Sequence, residues 1–399
     1  MKLLIIASSL DLTQPFSATP AWWQLLKGLY EENVEVLAAP YQGPAIESLW
    51  WRAVPNPAKR AGDIFKRVRD AVRTFGGGAH RADVDRGRRD AYTLTAGEKL
   101  ICKTTQALVV PCWRRTLGRV LERERDVDAV IFLTTPLNQT VGLARSLRRR
   151  YGVPMIYYDG DVPASLPDFQ GFASGFRIYP GADLDEYDAF ISNSKGGAET
   201  LRAMGAKAVY TLYYGVDPTV YAPIAVEQDI DAFFFGHGKE YRADWIQAMI
   251  TRPSLAMPER KFAVRGLNLG DLGRAQTLPY LSFSKLREYV CRSKLNLCIT
   301  RKAHASVYAS SSSRPFELSA LGACIVANPY EGIEEWFEPG EELIIVHSEE
   351  EALERYRWLL AHEAERIRLG KAARARALGA HTFRHRAAQL RRIVEEVRG

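Results

Sequence analysis

Cysteine is scarce and unpatterned in this chain. The five present are Cys102, Cys112, Cys291, Cys298 and Cys324. An odd number without framework spacing argues against a disulfide-built secreted domain and for a reduced, cytoplasmic protein. None lies near enough to another or to a suitable histidine to suggest zinc. Long apolar runs are missing too. The longest, KLLIIASSL from Lys2 and DAVIFLTT from Asp128, fall far short of the roughly 18 residues that span a bilayer. The first residues lack the charged start, long apolar stretch and cleavage site of a signal peptide, and read as a core strand. No zinc-finger or RNA-binding motif occurs, so nucleic acid is not an expected partner. Hydrophobic residues at 47% and charged residues at 25% exclude a disordered or collagen-like chain.

What is present is an uneven charge. Lys and Arg number 54 against 47 Asp and Glu, a net +7. Arg52 to Arg125 holds 18 basic and 8 acidic residues, so this stretch carries more than the whole surplus. It suits an anionic membrane surface or a phosphorylated substrate, and equally a solvated helical segment with spare arginines.

The hydrophobic pattern alternates strand and helix. KLLIIASS (2–9), VEVLAA (34–39), DAVIFLTTP (128–136), VPMIYYDGD (153–161), YDAFISNS (187–194) and AVYTLYYG (208–215) read as strands. Helical spacing at 20–32, 141–152 and 196–206 lies between them. A basic insertion at about 50–125, with helical pieces and Gly76-Gly77-Gly78, interrupts the order. A second series follows: strands at 231–238, 261–266, 295–300, 324–329 and 342–347, helices at 242–251, 282–294 and 314–323, and a helical tail from Glu350. The expected architecture is α/β, with two Rossmann-like doubly wound domains facing a cleft. Their boundaries are 1–215 and 216–379, joined near Tyr214–Pro218, with a last helix at 380–399.

Ligands of such sheets bind at the carboxyl ends of the strands, where three positions stand out. Ser310–Ser313 followed by Arg314-Pro315 marks a helix start, where backbone N–H groups and a guanidinium favour an anion. Glu317 in the first turn can accept ribose hydroxyls or simply cap the helix. Phe233–Phe235 runs into Gly236-His237-Gly238, which lets backbone approach a ligand closely, with Lys239 and Arg242 beyond. Asp159-Gly160-Asp161 could hold a metal, act as acid and base, or bind sugar hydroxyls, or be a plain turn. Arg301, Lys302 and His304 form a fourth group facing the same cleft. Arg265, near the expected base pocket, completes the set.

These residues resemble those of CgeB-like glycosyltransferases, of the GT-B architecture and near the family 4-like retaining enzymes. FFFGHG with Arg242, RPFELSALGA, NPYEGIEEWFEPGEE and HTFRHRAAQLRRIV match in order, over roughly residues 210–399. The resemblance implies transfer of a sugar, of hexosyltransferase type, from a nucleoside diphosphate sugar (UDP or GDP) to an acceptor hydroxyl. It implies retention, no metal and no cofactor beyond the donor. The C-terminal domain would bind the donor and the N-terminal domain the acceptor, and the last helix would return to the first domain. Position by position, Glu317 would hold the ribose and Arg242 would face the diphosphate. Arg314, Ser312 and Ser313 would lie at the same helix start. Gly236, His237, Arg265 and Arg301 complete the expected donor site, and Asp159 and Asp161 are the expected catalytic pair.

The match has departures. The earlier glutamate of the Glu-x7-Glu pattern is Ala309, the arginine usual after the first donor-domain glycine is His237, and Ser8–Leu12 replaces a glycine-rich loop. Three other readings remain: a metal-dependent GT-A enzyme using Asp159-Gly160-Asp161, a nucleotide-sugar epimerase, and a non-catalytic two-domain binder. The basic stretch at 52–125 is expected to touch anionic membrane, near a lipid, sugar or small-molecule acceptor.

Overall fold

A computed structural model describes residues 1–12, 21–59, 94, 96–167, 178–238 and 242–399. Of the expected insertion, 60–93 and 95 lie outside these, as does Lys239.

Seven parallel strands form the first sheet: β1 (Lys2–Ser9), β2 (Glu35–Gln42), β3 (Arg52–Ala53), β4 (Ala129–Leu133), β5 (Met155–Asp159), β6 (Ala189–Ser192) and β7 (Val209–Thr211). Their order across the sheet is β3-β2-β1-β4-β5-β6-β7. The chain thus winds outward from β1 in one direction, then restarts at β4 and winds the other way. The crossovers include α1 (Ala21–Glu31), α2 (Ala96–Leu108), α3 (Val110–Arg123), α4 (Leu143–Tyr151) and α5 (Lys195–Ala203). Central strands are apolar on both faces, as a sheet covered by helices on both sides requires. Leu4, Ile6 and Phe132 point to one core, and Leu3, Ile5 and Ile131 to the other.

The second sheet repeats the plan with six parallel strands: β8 (Ile230–His237), β9 (Phe262–Leu267), β10 (Gln276–Leu278), β11 (Ser293–Cys298), β12 (Ile325–Ala327) and β13 (Ile344–Ile345). The order is β10-β9-β8-β11-β12-β13. Between them run α6 (Ala243–Ile246), a π turn at Gln247–Thr251, α7 (Arg252–Ala256), α8 (Phe283–Arg292), α9 (Lys302–Ala305) and α10 (Ser313–Ala320). The α/β doubly wound reading holds in both halves. The two-residue β3 and the polar β10 carry no strand pattern, and pairing alone defines them. Edge helices are also shorter than their periodic runs: the stretch 282–294 yields α8 only to Arg292, because Ser293 already pairs with Ile230.

Three helices close the chain: α11 (Glu349–Ala361), α12 (Glu363–Ala380) and α13 (Phe383–Arg398). The last returns to the first sheet. Phe383, Ala387, Leu390 and Val394 are buried with Leu25, Leu26 and Leu29 of α1 in one cluster. Gly28 makes room for this crossing, since a Cβ there would stand 2.6 Å from the Phe383 carbonyl oxygen. The turn into α13 is held by His381 and Arg386. The Arg386 guanidinium donates to His381 Nδ1 at 2.7 Å and to the Tyr214 carbonyl at 2.9 Å. Arginine only donates, so Nδ1 accepts and the ring proton sits on Nε2, 3.1 Å from the Trp336 carbonyl.

Candidate active site

The two sheets present their carboxyl ends to each other. In the second sheet the winding reverses between β8 and β11, the point where open α/β sheets hold ligands. Arg242, just before α6, sits across it. Its Nε donates to the Ile299 carbonyl at 2.9 Å and its Nη1 to the His237 carbonyl at 3.0 Å. Two main-chain oxygens, one from each strand end, thus fix this guanidinium in place.

Arg314, in the first turn of α10, turns back toward β8. Its Nη1 donates to the Phe235 carbonyl, and its guanidinium carbon lies 4.0 Å from the centroid of the Phe235 ring. Gly236 permits this approach: a Cβ there would be 3.2 Å from Arg314 Nη1. The Arg314 Nε is buried without a partner. Burial lowers the pKa of Arg314, partly offset by Cys298 and Glu317. Glu317, one turn on, is buried and accepts from the Tyr221 hydroxyl at 2.9 Å. Burial raises its pKa, and the bonds from Tyr221 and Ser313 and the charge of Arg314 work against that rise. Arg265 on β9 completes this side, 5.1 Å from the Tyr280 ring centroid.

The serine run divides in two. Ser312 and Ser313 start α10 and are half-buried. Ser310 and Ser311 instead build the seam between the two halves of the chain. Ser310 Oγ lies 2.5 Å from Ser194 Oγ, and Ser311 Oγ is 2.8 Å from the Asn193 carbonyl. Asn193 Nδ2 returns a bond to the Ser311 carbonyl at 2.8 Å, and its Oδ1 accepts from the Val162 N–H at 2.9 Å. Asn193, Ser194 and Tyr221 thus matter to the site, although nothing in their local sequence marks them.

Asp159 and Asp161 have different fates. Asp159 is fully buried at the end of β5. It accepts from the Ser165 hydroxyl, the Tyr179 hydroxyl at 2.6 Å and the Asp161 N–H at 2.9 Å. Burial raises its pKa to about 6 against the lowering effect of those bonds. Its bonds go to protein donors, and they tie the loop after β5 together. Asp161 is the carboxylate of the pair that faces the cleft. Its Oδ1 lies 2.6 Å from Nη2 of Arg301, at the start of α9, and 3.8 Å from His304 Nε2.

Gly236, His237, Arg242, Arg265, Ser312, Ser313, Arg314 and Glu317 therefore gather around one set of strand ends, while Arg301 joins Asp161 across the cleft. A site with Arg242, Arg301 and Arg314 at a switch point, beside a helix start, is built to receive negative charge.

Residues 242–392 match a family model described as glycosyl transferase-like. No curated protein sequence matches the chain. Solved structures share the fold over nearly the whole length. Sucrose-phosphate synthase from Thermosynechococcus elongatus superimposes with a TM-score of 0.61 at 13% identity, covering 99% of this chain and 98% of that one. The trehalose-6-phosphate protein from E. coli bound with UDP-2-fluoro glucose gives 0.64 at 11%, covering 99% of each. HepE from Anabaena in complex with UDP-glucose gives 0.58 at 12%, covering 99% and 100%. The fold is that of the GT-B glycosyltransferases.

Proposed function

We propose that the chain is a CgeB-like glycosyltransferase of hexosyl type. It takes a sugar from a UDP or GDP sugar and passes it to an acceptor hydroxyl. Residues 216–379 bind the donor, residues 1–215 bind the acceptor, and 380–399 return to the first domain. The observation that carries this reading is Arg242, fixed by two carbonyls at the point where the second sheet reverses. Arg242 and Arg301 face the diphosphate, and the start of α10 with Arg314 supplies further positive charge. Positive charge fixed before the reaction stabilises the leaving diphosphate without reorganisation, so the transfer is metal-independent. Two structural neighbours are bound to UDP-2-fluoro glucose and UDP-glucose, which favours a uridine donor. The retaining outcome rests on the likeness to family 4-like enzymes. The match of residues 242–392 to a glycosyl transferase-like family favours a transferase over the epimerase or the binder.

The protein is cytoplasmic in this reading and touches an anionic membrane through residues 52–125. No helix among the described residues is long and apolar enough to cross a membrane. Helix α2 supports the membrane contact. Leu100 and Leu108 are 67% and 64% exposed, with Ile101 also outward, while Gln106 turns inward to the Asn138 carbonyl. Lys99 and Lys103 border this apolar stripe. A Leu100→Glu/Leu108→Glu protein should lose co-sedimentation with phosphatidylserine vesicles, and equal binding by both proteins refutes the contact.

Thermal shift against UDP, GDP, ADP and dTDP, each with magnesium and with EDTA, tests the main reading. A ligand that binds only the folded state at 100 times its Kd adds about 2.7 kcal/mol. A shift with UDP or GDP that survives EDTA supports the donor site. A shift that needs metal points to the Asp-x-Asp reading, and no shift with any nucleotide overturns the transferase.

A further inference from the structure

An ion pair between Asp161 and Arg301 joins the two halves of the chain across the cleft. Arg301 Nη2 reaches Asp161 Oδ1 at 2.6 Å and lies 3.2 Å from His304 Nε2. Arginine has no acceptor, so His304 Nε2 must accept and the ring carries its proton on Nδ1. His304 is buried, and burial with the charges of Arg301 and Arg242 holds its pKa well below the ordinary value. The ring is therefore neutral, and its Nδ1 has no partner. Asp161 thus faces a cationic cluster in which His304 contributes no charge.

The two arginines differ in how they are held. Arg242 is bonded to main-chain carbonyls of two strand ends. Arg301 is bonded to a side chain from the other sheet, and both members are partly exposed, at 22% and 27%. That bond is the exchangeable one. A diphosphate carries more charge than one carboxylate and offers several oxygens for charge-assisted bonds. Asp161 thus occupies the place that a donor's phosphate would contest.

We propose that Asp161 and Arg301 form a latch opened by the donor. Without donor, each holds the other out of use. The diphosphate of the bound donor draws Arg301 away, and the freed Asp161 carboxylate then accepts a hydrogen bond from the acceptor's hydroxyl. Donor binding precedes acceptor binding for this reason. The exchange moves hydrogen-bond partners only, with no proton transferred and no covalent bond made or broken. The inference rests on the nucleotide-sugar reading above and gives its site a binding order.

A double-mutant cycle on the full chain tests it, with UDP and GDP as calorimetric probes. Asp161→Asn removes the competing charge and should bind the diphosphate about two- to fivefold tighter, the factor an ion pair of this exposure withholds. Arg301→Gln should bind more weakly than wild type. In the Arg301→Gln background, Asp161→Asn should leave affinity unchanged. A merely structural Asp161 would instead lower affinity and melting temperature together, in both backgrounds, and that result overturns the latch. So does Asp161→Asn binding no tighter than wild type while wild type binds normally. Failure of wild type to bind either nucleotide removes the donor site itself, an outcome separate from the other two.

Discussion

Replacing Asp159 by Asn should change how stability depends on pH. Asp159 is fully buried at the end of β5, with hydroxyls of Ser165 and Tyr179 bonded to it. Burial lifts its pKa from 3.8 to about 6. The folded protein therefore holds this proton more tightly than the unfolded chain. Stability from this group is greatest below the unfolded value and falls as pH rises toward 6 and above. A shift of this size corresponds to about 3 kcal/mol over the full range. Between pH 4.5 and pH 7.5 the wild type should lose about 2 kcal/mol that Asp159→Asn does not. The variant carries its own fixed cost, because an amide offers one acceptor where a carboxylate offers two. That cost is the same at both pH values and cancels in the comparison. Urea unfolding of both proteins at the two pH values gives the difference directly. A wild-type-to-variant gap that stays constant with pH would refute the assignment of a raised pKa to this buried carboxylate.

Three further outcomes follow from the packing. His381 has its pKa lowered to about 3, first by burial and then by Arg386. Stability is therefore lost as pH falls from 6.5 toward 3, by about 5 kcal/mol in all; His381→Gln should flatten that acid limb in melts from pH 7 to pH 4. Gly28→Val should push α13 off α1, because its Cβ would meet the Phe383 carbonyl oxygen at 2.6 Å. A loss of about 1–3 kcal/mol and early proteolysis after Ala380 are expected, and unchanged melting counts against the crossing. Gly266→Ala would place a Cβ 1.8 Å from the Gly236 carbonyl oxygen, so it should weaken UDP binding by calorimetry more than it lowers the melting temperature.

The winding of both sheets was legible because buried parallel strands are written as apolar runs. Phe233–Phe235 and Ile156–Tyr158 announce themselves, and Gly or Asp marks where each strand stops. Gly236, His237 and Arg301 were legible for the same reason, since they stand at or just past strand ends. The seam was not. Ser310 and Ser311 look like loop residues until Ser194 and Asn193, more than a hundred positions earlier, meet them. Asp159 and Asp161 looked alike two residues apart, yet one points into the core and the other into the cleft. A two-residue period can be read from sequence, but the residues that fill the space on either side cannot. The pairing of Asp161 with Arg301, 140 positions apart, is likewise a property of the assembled cleft.

The return of α13 to the first sheet sets a timetable for biosynthesis. Leu25, Leu26 and Leu29 leave the ribosome early, but Phe383, Leu390 and Val394, which cover them, are made after the whole second sheet. At about 5–20 residues per second the wait after β7 is on the order of 10–30 s. Throughout that interval the first sheet has one apolar face without its lid, even though all its strands exist. The nascent chain must stay soluble with that face uncovered. Loss of the last helix would make the exposure permanent, turning a C-terminal truncation into an aggregation defect of the N-terminal domain.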